Sequence, residues 1–323
     1  MPVYEPESGV GDVEALGPDY GIEALMVNAF LLYKDRGSRA TLEEGCDIHD
    51  YIGFHGLLMM DSGAFQGFTR PLYLKNKVIV RFQERIGADI VSPLDLISPP
   101  QDSRKVAERK LARTNARIAE AKPLVEEGTL TGVQQGGRFL DLRKQSIEAL
   151  MEIGVDYIAL GSLVPFFNRQ HNLAFVGPVI REARQLVGPE LPLHVYGAGE
   201  PAELPFLVAL GADVFDSSSY VHYARRGWYM TPFGAVQDLP GLERTGYQCT
   251  CPTCSGSPGF EEILANQQDL MMHNLWMVLE TFRVLRDAVA RGDLDAHIAR
   301  VLEVHSAAFP DSLLCKSWEE LHA

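Results

Sequence analysis

The sequence predicts an α/β protein folded as a (β/α)8 (TIM) barrel, with an inserted Cys3His zinc-binding subdomain and C-terminal helices. Three observations carry this expectation. β-rich apolar runs alternate with helical patterns, which indicates βαβ units and a parallel sheet. A short signature, Gly87-Ala88-Asp89-Ile90, Gly154-Val155-Asp156-Tyr157 and Gly211-Ala212-Asp213-Val214, recurs where a helical pattern gives way to a strand. Six of the strands then run into polar or glycine-rich residues, and the C-terminal face is where a barrel builds its site.

The strands expected in order are Ala24–Tyr33, Leu57–Met60, Ile90–Ser92, Leu130–Val133, Tyr157–Leu160, Leu193–Tyr196 and Asp213–Phe215. Between them lie expected helices Lys77–Ile86, Ser103–Val125, Leu140–Ile153, Phe175–Leu186 and Ala202–Leu210. Glycine just past a helix ends it in the left-handed conformation. The aspartate that follows bonds local backbone in the short loop, so Asp89, Asp156 and Asp213 read as structural. Met230–Leu239 reads as loop, Glu261–Val304 as a long helical stretch and Pro310–Ala323 as a ragged tail. The expected organisation is a barrel over 1–240, a zinc-binding subdomain over 241–275 and C-terminal helices over 276–323 packing on the barrel. An open doubly wound sheet lacks support: no G-x-G-x-x-G follows the first strand and no P-loop is present.

Composition fits a globular chain, with 46% hydrophobic and 22% charged residues. No apolar run reaches the length of a membrane span, and no secretory signal is visible, so a cytoplasmic location is expected. A net charge of −14 argues against a generic nucleic-acid binder. Against that background, Ser103–Lys122 is locally basic, with Arg109, Arg113 and Arg117 on one helical pattern. It reads either as a solvated helix face or as a stripe that tracks phosphates.

Cys249, Cys251, Cys254 and His273 follow the spacing C-x-C-x2-C-x18-H. Three thiolates and one imidazole close a tetrahedral zinc site with no open position, so the ion's role is structural. Disulfides are the weaker reading for a chain without secretory features. Cys46 and Cys315 stand apart and read as reduced thiols.

At the strand ends, Asp61, Asp95 and Asp216 converge on one pocket if the barrel forms. Two carboxylates can act as nucleophile and general acid/base on a sugar carbon. A third can accept N–H bonds from a purine-like edge, with Gln135 offering a donor and an acceptor. Gly136, Gly137, Gly161, Gly197 and Gly199 leave room for a flat ring against backbone, and Phe65 offers a stacking face. A strand-end aspartate is also a common helix cap, so each alone is ambiguous. His49, His55, His171, His194, His222, His297, His305 and His322 show no ligand spacing and read as structural.

Taken together and in order, several segments resemble the tRNA-guanine transglycosylase family. They are Asp61-Ser62-Gly63-Ala64-Phe65-Gln66, Pro93-Leu94-Asp95, Val133-Gln134-Gln135-Gly136-Gly137, Ala159-Leu160-Gly161-Ser162, Tyr196-Gly197-Ala198-Gly199, Phe215-Asp216-Ser217 and the cysteine cluster. The resemblance implies a pentosyltransferase that exchanges guanine in a polynucleotide for a 7-deazaguanine at the same ribose. By position, it makes Asp216 the nucleophile on C1′ and Asp61 the general acid/base. Asp95, Gln135, Ser62, Gly161, Ser162, Val164 and Gly197 become the base-binding set, with Phe65 stacking. Such an enzyme must take its base out of the stack, and the stripe at Arg109, Arg113 and Arg117 then becomes a phosphate contact.

The segment Ser218–Gly227, followed by Met230-Thr231-Pro232, is closer to the archaeal type. That type implies tRNA position 15 and archaeosine rather than queuosine chemistry. Leu163-Val164-Pro165-Phe166-Phe167 supplies no carboxylate for an aminomethyl cation, so the expected incoming base is 7-cyano-7-deazaguanine (preQ0). The family also implies tRNA as partner, in a homodimer or with a separate RNA-binding subunit. The alternatives are insertion into DNA, exchange at position 34, and a non-catalytic partner subunit.

Overall fold

The computed structural model describes residues 1–4, 20–64, 74–256 and 259–322. Seven parallel strands hydrogen-bond in chain order. They are β1 (Ala24–Asn28), β2 (Leu57–Asp61), β3 (Ile90–Val91), β4 (Thr129–Gln134), β5 (Tyr157–Leu160), β6 (Leu193–Val195) and β7 (Val214–Phe215). The eighth stave is the segment Met1–Tyr4, which the sequence reading did not identify. Pro2 bridges Ser217 and Val3 bridges Met26, both in parallel. Met26 N donates to Pro2 O at 2.9 Å, and Tyr4 N donates to Met26 O at 2.8 Å. Ser217 N donates to Met1 O at 3.2 Å, which joins the segment to the end of β7.

Alternation along each strand sorts side chains into two cores. Met26, Met59, Ile90 and Tyr157 pack inside the barrel, with Met1, Val3, Tyr196 and Val214 against them. Leu58, Met60, Leu130, Ile158 and Val195 face outward and meet helix residues such as Ile79, Val80, Ile147 and Ile180. The helices Asn76–Arg85, Arg104–Ala121, Leu140–Ile153, Val176–Val187 and Leu204–Ala209 fall where expected.

The recurring glycines behave as the sequence predicts: Gly87, Gly154 and Gly211 all have positive φ. The aspartates are structural, but their partners are not in their own loops. Asp89 accepts from Leu58 N of β2 at 2.6 Å, and Asp213 accepts from Leu193 N of β6 at 2.8 Å. Each pins the start of the neighbouring strand. Asp156 pairs with Lys122 at 3.0 Å.

Three expectations need correction. The apolar run Ala24–Tyr33 is strand only to Asn28. The Asn28 side chain accepts from Leu31 N at 3.0 Å and caps a helix over Ala29–Lys34. Short apolar runs do not distinguish strand from buried helix, and the cap decides it. The long helical stretch is three helices, Phe260–Ala265, Gln267–Arg291 and Leu294–Ala308. Asn266 caps the second one, and Gly292 in the left-handed conformation ends it. The tail contains a further helix, Leu314–Glu320, whose Trp318 ring packs edge-on against Phe206 at 4.9 Å.

Gly132 lies in the middle of β4, where Leu150 and Val155 press close against the strand. A Cβ there would meet Val155 Cγ2 at 2.7 Å and Leu150 Cδ2 at 3.0 Å. Gly132→Ala is expected to destabilise the fold by about 1–3 kcal/mol through overpacking. The check is the urea midpoint at constant m-value; an unchanged midpoint would show that this layer has slack.

Candidate functional site

The strand ends deliver the expected residues to one mouth. Asp61 ends β2, Gln135 follows β4, Gly161 follows β5 and Asp216 follows β7. Asp95 sits in the loop after β3, and Gly197 in the loop after β6.

Asp61 is held by two donors: Asn28 Nδ2 reaches Oδ2 at 2.9 Å, and Gly63 N reaches Oδ1 at 3.1 Å. Burial dominates its titration and lifts its pKa to about 7, with a further rise from the charges of Asp95 and Asp216. The three carboxylates are thus near enough to feel one another's charge. A carboxyl group poised near neutrality can both give and take a proton.

Asp95 lies at the end of a polar chain. Gln135 Nε2 donates to its Oδ2 at 2.6 Å, Ser162 Oγ donates to Gln135 Oε1 at 2.7 Å, and Ser98 N donates to Ser162 Oγ at 3.0 Å. Burial raises the Asp95 pKa, and the Gln135 bond opposes that rise. The chain fixes the Gln135 amide, so each of its ends has a defined role. Ser162 adopts φ 57°, the left-handed region that a serine rarely occupies. Arg143, fully buried, holds this turn from behind. It donates to Gly137 O at 2.7 Å, Gln134 Oε1 at 2.9 Å and Gly161 O at 3.1 Å, and more weakly to Ser162 O at 3.4 Å.

Packing by itself requires glycine at several of these positions. A Cβ at Gly161 would meet Gln135 Nε2 at 2.7 Å, and one at Gly199 would meet Ser217 Cβ and Oγ at 2.3 Å. At Gly197 it would meet Val164 Cγ2 at 2.4 Å, so the Val164 side chain lies over this glycine while remaining 53% exposed.

Asp216 is 8% exposed. Its Oδ1 accepts from Gly197 N at 3.1 Å and lies 2.9 Å from His194 Nε2. His194 is fully buried, and Tyr157 Oη lies 3.0 Å from its Nδ1. Sequence reading passed over His194, Tyr157, Asn28 and Arg143. Only the strand register, which pairs Ala159 with His194 and His194 with Val214, brings His194 beneath Asp216.

The remaining expected residues divide. Ser62 is buried at 2% exposure, and Phe65 lies outside the described residues. Arg109 and Arg113 are exposed. Arg117 is instead turned inward, its Nη1 3.2 Å from Leu94 O and 3.4 Å from Asp95 O, where it braces the Asp95 loop.

Cys249, Cys251, Cys254 and His273 present ligand atoms within 4.8 Å of one another. His273 Nδ1 lies 3.4, 3.6 and 3.4 Å from the three sulfurs in chain order. A tetrahedral ion with ~2.3 Å sulfur and ~2.0 Å nitrogen bonds requires S–N edges of about 3.5 Å, so the donor set fits a metal ion. Nε2 lies 2.8 Å from Met230 O, which fixes the tautomer that leaves Nδ1 free to ligate. Tyr229 stacks on the imidazole at 3.6 Å. Among the described helices, none is long and apolar enough to cross a membrane.

Comparison with known proteins converges on one family. The sequence model of the family described as queuine tRNA-ribosyltransferase matches residues 1–307. The tRNA-guanine(15) transglycosylase of Methanosarcina mazei is 33% identical over 304 residues, 91% of this chain and 60% of that protein. The Pyrococcus furiosus protein of the same name is 32% identical over 300 residues, 91% of this chain and 50% of that protein. The Methanopyrus kandleri protein is 32% identical over 315 residues, 96% of this chain and 67% of that protein. The chain therefore spans between half and two thirds of the length of these relatives.

The raised pKa of Asp61 has a stability consequence. Its ordinary value is 3.8, and burial moves it to about 7 in the folded chain. The stabilisation linked to the bound proton is complete below about pH 4 and is lost as pH rises through 7. Asp61→Asn should therefore gain on the wild type in urea midpoint between pH 5 and pH 8. A difference that stays constant with pH would mean that Asp61 titrates normally.

Proposed function

The chain belongs to the queuine tRNA-ribosyltransferase (tRNA-guanine transglycosylase) family, and on that premise we propose that it exchanges guanine at position 15 of tRNA for preQ0. The observation that carries this reading is the division of labour among three carboxylates at one mouth. Asp216 has one oxygen held by Gly197 N, while no hydrogen bond among the described residues reaches the other. That free oxygen attacks ribose C1′ as the C1′–N9 bond to guanine breaks. Asp61, with its pKa near 7, gives its proton to the departing base. The ionised Asp61 then takes the N9 proton of the incoming base, whose N9 attacks C1′ and releases Asp216. Two displacements return the ribose to its starting configuration.

Asp95 and Gln135 read the base edge, and their mutual hydrogen bond sets which groups face it. Ser62, Gly161, Ser162, Val164 and Gly197 complete the slot, with Phe65 proposed to stack. The absence of a carboxylate over Leu163–Phe167 favours the neutral nitrile of preQ0 over an aminomethyl cation. The relatives' name specifies position 15. Exposed Arg109 and Arg113 are the phosphate contacts proposed here, with Arg117 left as a brace. The Cys3His site is proposed to hold zinc in a structural role, within a subdomain distinct from the barrel.

Labelled preQ0 offered with unmodified whole tRNA should be incorporated at position 15. Asp216→Asn should abolish both incorporation and the denaturation-resistant RNA adduct while retaining base binding. Label at position 34, or label in duplex DNA but not in tRNA, would replace the substrate assignment. An adduct that persists in Asp216→Asn would sink the nucleophile assignment.

The purified chain should carry one zinc per molecule. Stripping it should lower the thermal midpoint, since structural zinc contributes on the order of 10 kcal/mol to its local fold. A metal-free preparation of unchanged stability would remove the metal from the account.

A further inference from the structure

His194 lies at the floor of the barrel mouth in an unusual state. It is fully buried, and its ring is held edge-on between Tyr157, at 5.8 Å and 86°, and Tyr196, at 4.7 Å and 80°. Its two nitrogens face different groups. Nδ1 meets the Tyr157 hydroxyl at 3.0 Å, and Nε2 faces Asp216 Oδ1 at 2.9 Å. Nε2 is shut off from solvent and has no other polar partner among the described residues.

These contacts determine the tautomer. Burial pushes the Tyr157 phenol well above its ordinary range, so it keeps its proton. If the imidazole proton sat on Nδ1, the Nε2 lone pair would point at a carboxylate oxygen 2.9 Å away, which is repulsive. With the proton on Nε2, the phenol donates to Nδ1 and the imidazole N–H faces Asp216. We infer that His194, locked in this tautomer by Tyr157, is a positioning residue for Asp216: it holds Oδ1 together with Gly197 N and leaves Oδ2 free to attack. The inference rests on the proposed transglycosylase reading.

A neutral imidazole suits this task. Burial lowers the His194 pKa against the pull of Asp216, so a neutral ring can present its N–H to the carboxylate without neutralising it. A cation there would pair with Asp216 and blunt its attack. The charged and titratable groups facing His194 are Tyr157 from β5, Tyr196 on its own segment, Asp216 after β7 and the Met1 α-amino group, which donates to Phe215 O at 2.6 Å. The Nε2–Asp216 approach is close but not aligned as a hydrogen bond. Catalytic hydrogen bonds commonly reach alignment only with substrate in place.

Two variants separate positioning from packing. His194→Met fills the space without an N–H, whereas His194→Gln restores an amide N–H at the same reach. With saturating tRNA, His194→Met should lower kcat on the order of 10²-fold with little change in KM for the base, the scale of a misplaced reacting group. His194→Gln should recover a substantial part of that loss. Equal losses in both variants, or a loss confined to KM, would make the role structural and overturn the inference. Imidazole 15N spectra of the wild type provide a readout independent of activity and of variant folding. They should show a neutral Nε2–H ring between pH 6 and pH 8, shifting to mixed tautomers in Tyr157→Phe. An Nδ1–H or cationic ring would overturn the inference directly. A wild type that exchanges no base in tRNA or DNA would instead remove the transglycosylase reading, and the positioning role with it. An active wild type matched by His194→Met would remove the positioning role alone.

Discussion

Two parallel bridges, Pro2 to Ser217 and Val3 to Met26, connect the last strand of the sheet to the first. Without them the seven strands form an open curl, and Asp61 on β2 and Asp216 beyond β7 sit toward opposite edges of it. With them the same residues line one mouth. The ladder contributes only a few hydrogen bonds there, each worth about 1 kcal/mol net. Its larger effect is on the inward side chains. Met1 and Val3 complete the inner core of Met26, Met59, Ile90 and Tyr157, which forms the floor under the carboxylates.

That floor explains how three acids can share one space. Removing carboxylates from water is costly, and a like charge nearby adds to the cost. Each acid is managed differently. Asp61 holds its proton to higher pH, Asp95 takes a hydrogen bond from Gln135, and Asp216 takes one from Gly197 N with the His194 ring close beneath it. The opposite sign is present in Arg143, which is buried without a carboxylate partner among the described residues. Burial lowers its pKa to about 9, so it remains cationic at neutral pH, solvated by carbonyls of the 134–137 and 161–162 turns. A guanidinium solvated by loop carbonyls makes those loops rigid, because moving any one of them strands a buried charge. The left-handed Ser162 is one backbone strain that this arrangement sustains.

Much of this was legible in the chain. The recurring Gly-x-Asp marked three strand starts, the strand-end acids marked the mouth, and the cysteine spacing marked the four side chains that gather as a Cys3His group. What escaped reading depends on register between strands distant in sequence. Nothing local distinguishes His194 from the other isolated histidines; it matters because β6 places it between Tyr157 and Asp216. Asn28 looks like the middle of an apolar run, yet it both caps a helix and holds Asp61. Met1–Tyr4 is too short to show a period. Arg117 matches its basic neighbours in pattern, and only the path of the Asp95 loop turns it inward.

The cysteine cluster and the Asp216 loop are tied through adjacent residues of one helix. On Gln267–Arg291, His273 supplies a ligand atom to the cluster and contacts Met230 O at 2.8 Å. The next residue, Asn274, accepts from Met230 N at 2.9 Å and donates to Trp228 O at 2.9 Å and Tyr220 O at 3.4 Å. Tyr220 lies on the short helix that begins three residues after Asp216, and its hydroxyl donates to Val3 O at 3.0 Å in the closing stave. A continuous run of hydrogen bonds and ligand contacts thus leads from the cluster, through the segment that follows Asp216, to the bridge that closes the barrel. An ion with no open coordination position would do no chemistry of its own, but one bound at this place would hold the helix that holds the loop. The Cys3His cluster and the barrel closure therefore constrain the same few residues from two sides, and the carboxylate between them has little freedom to drift.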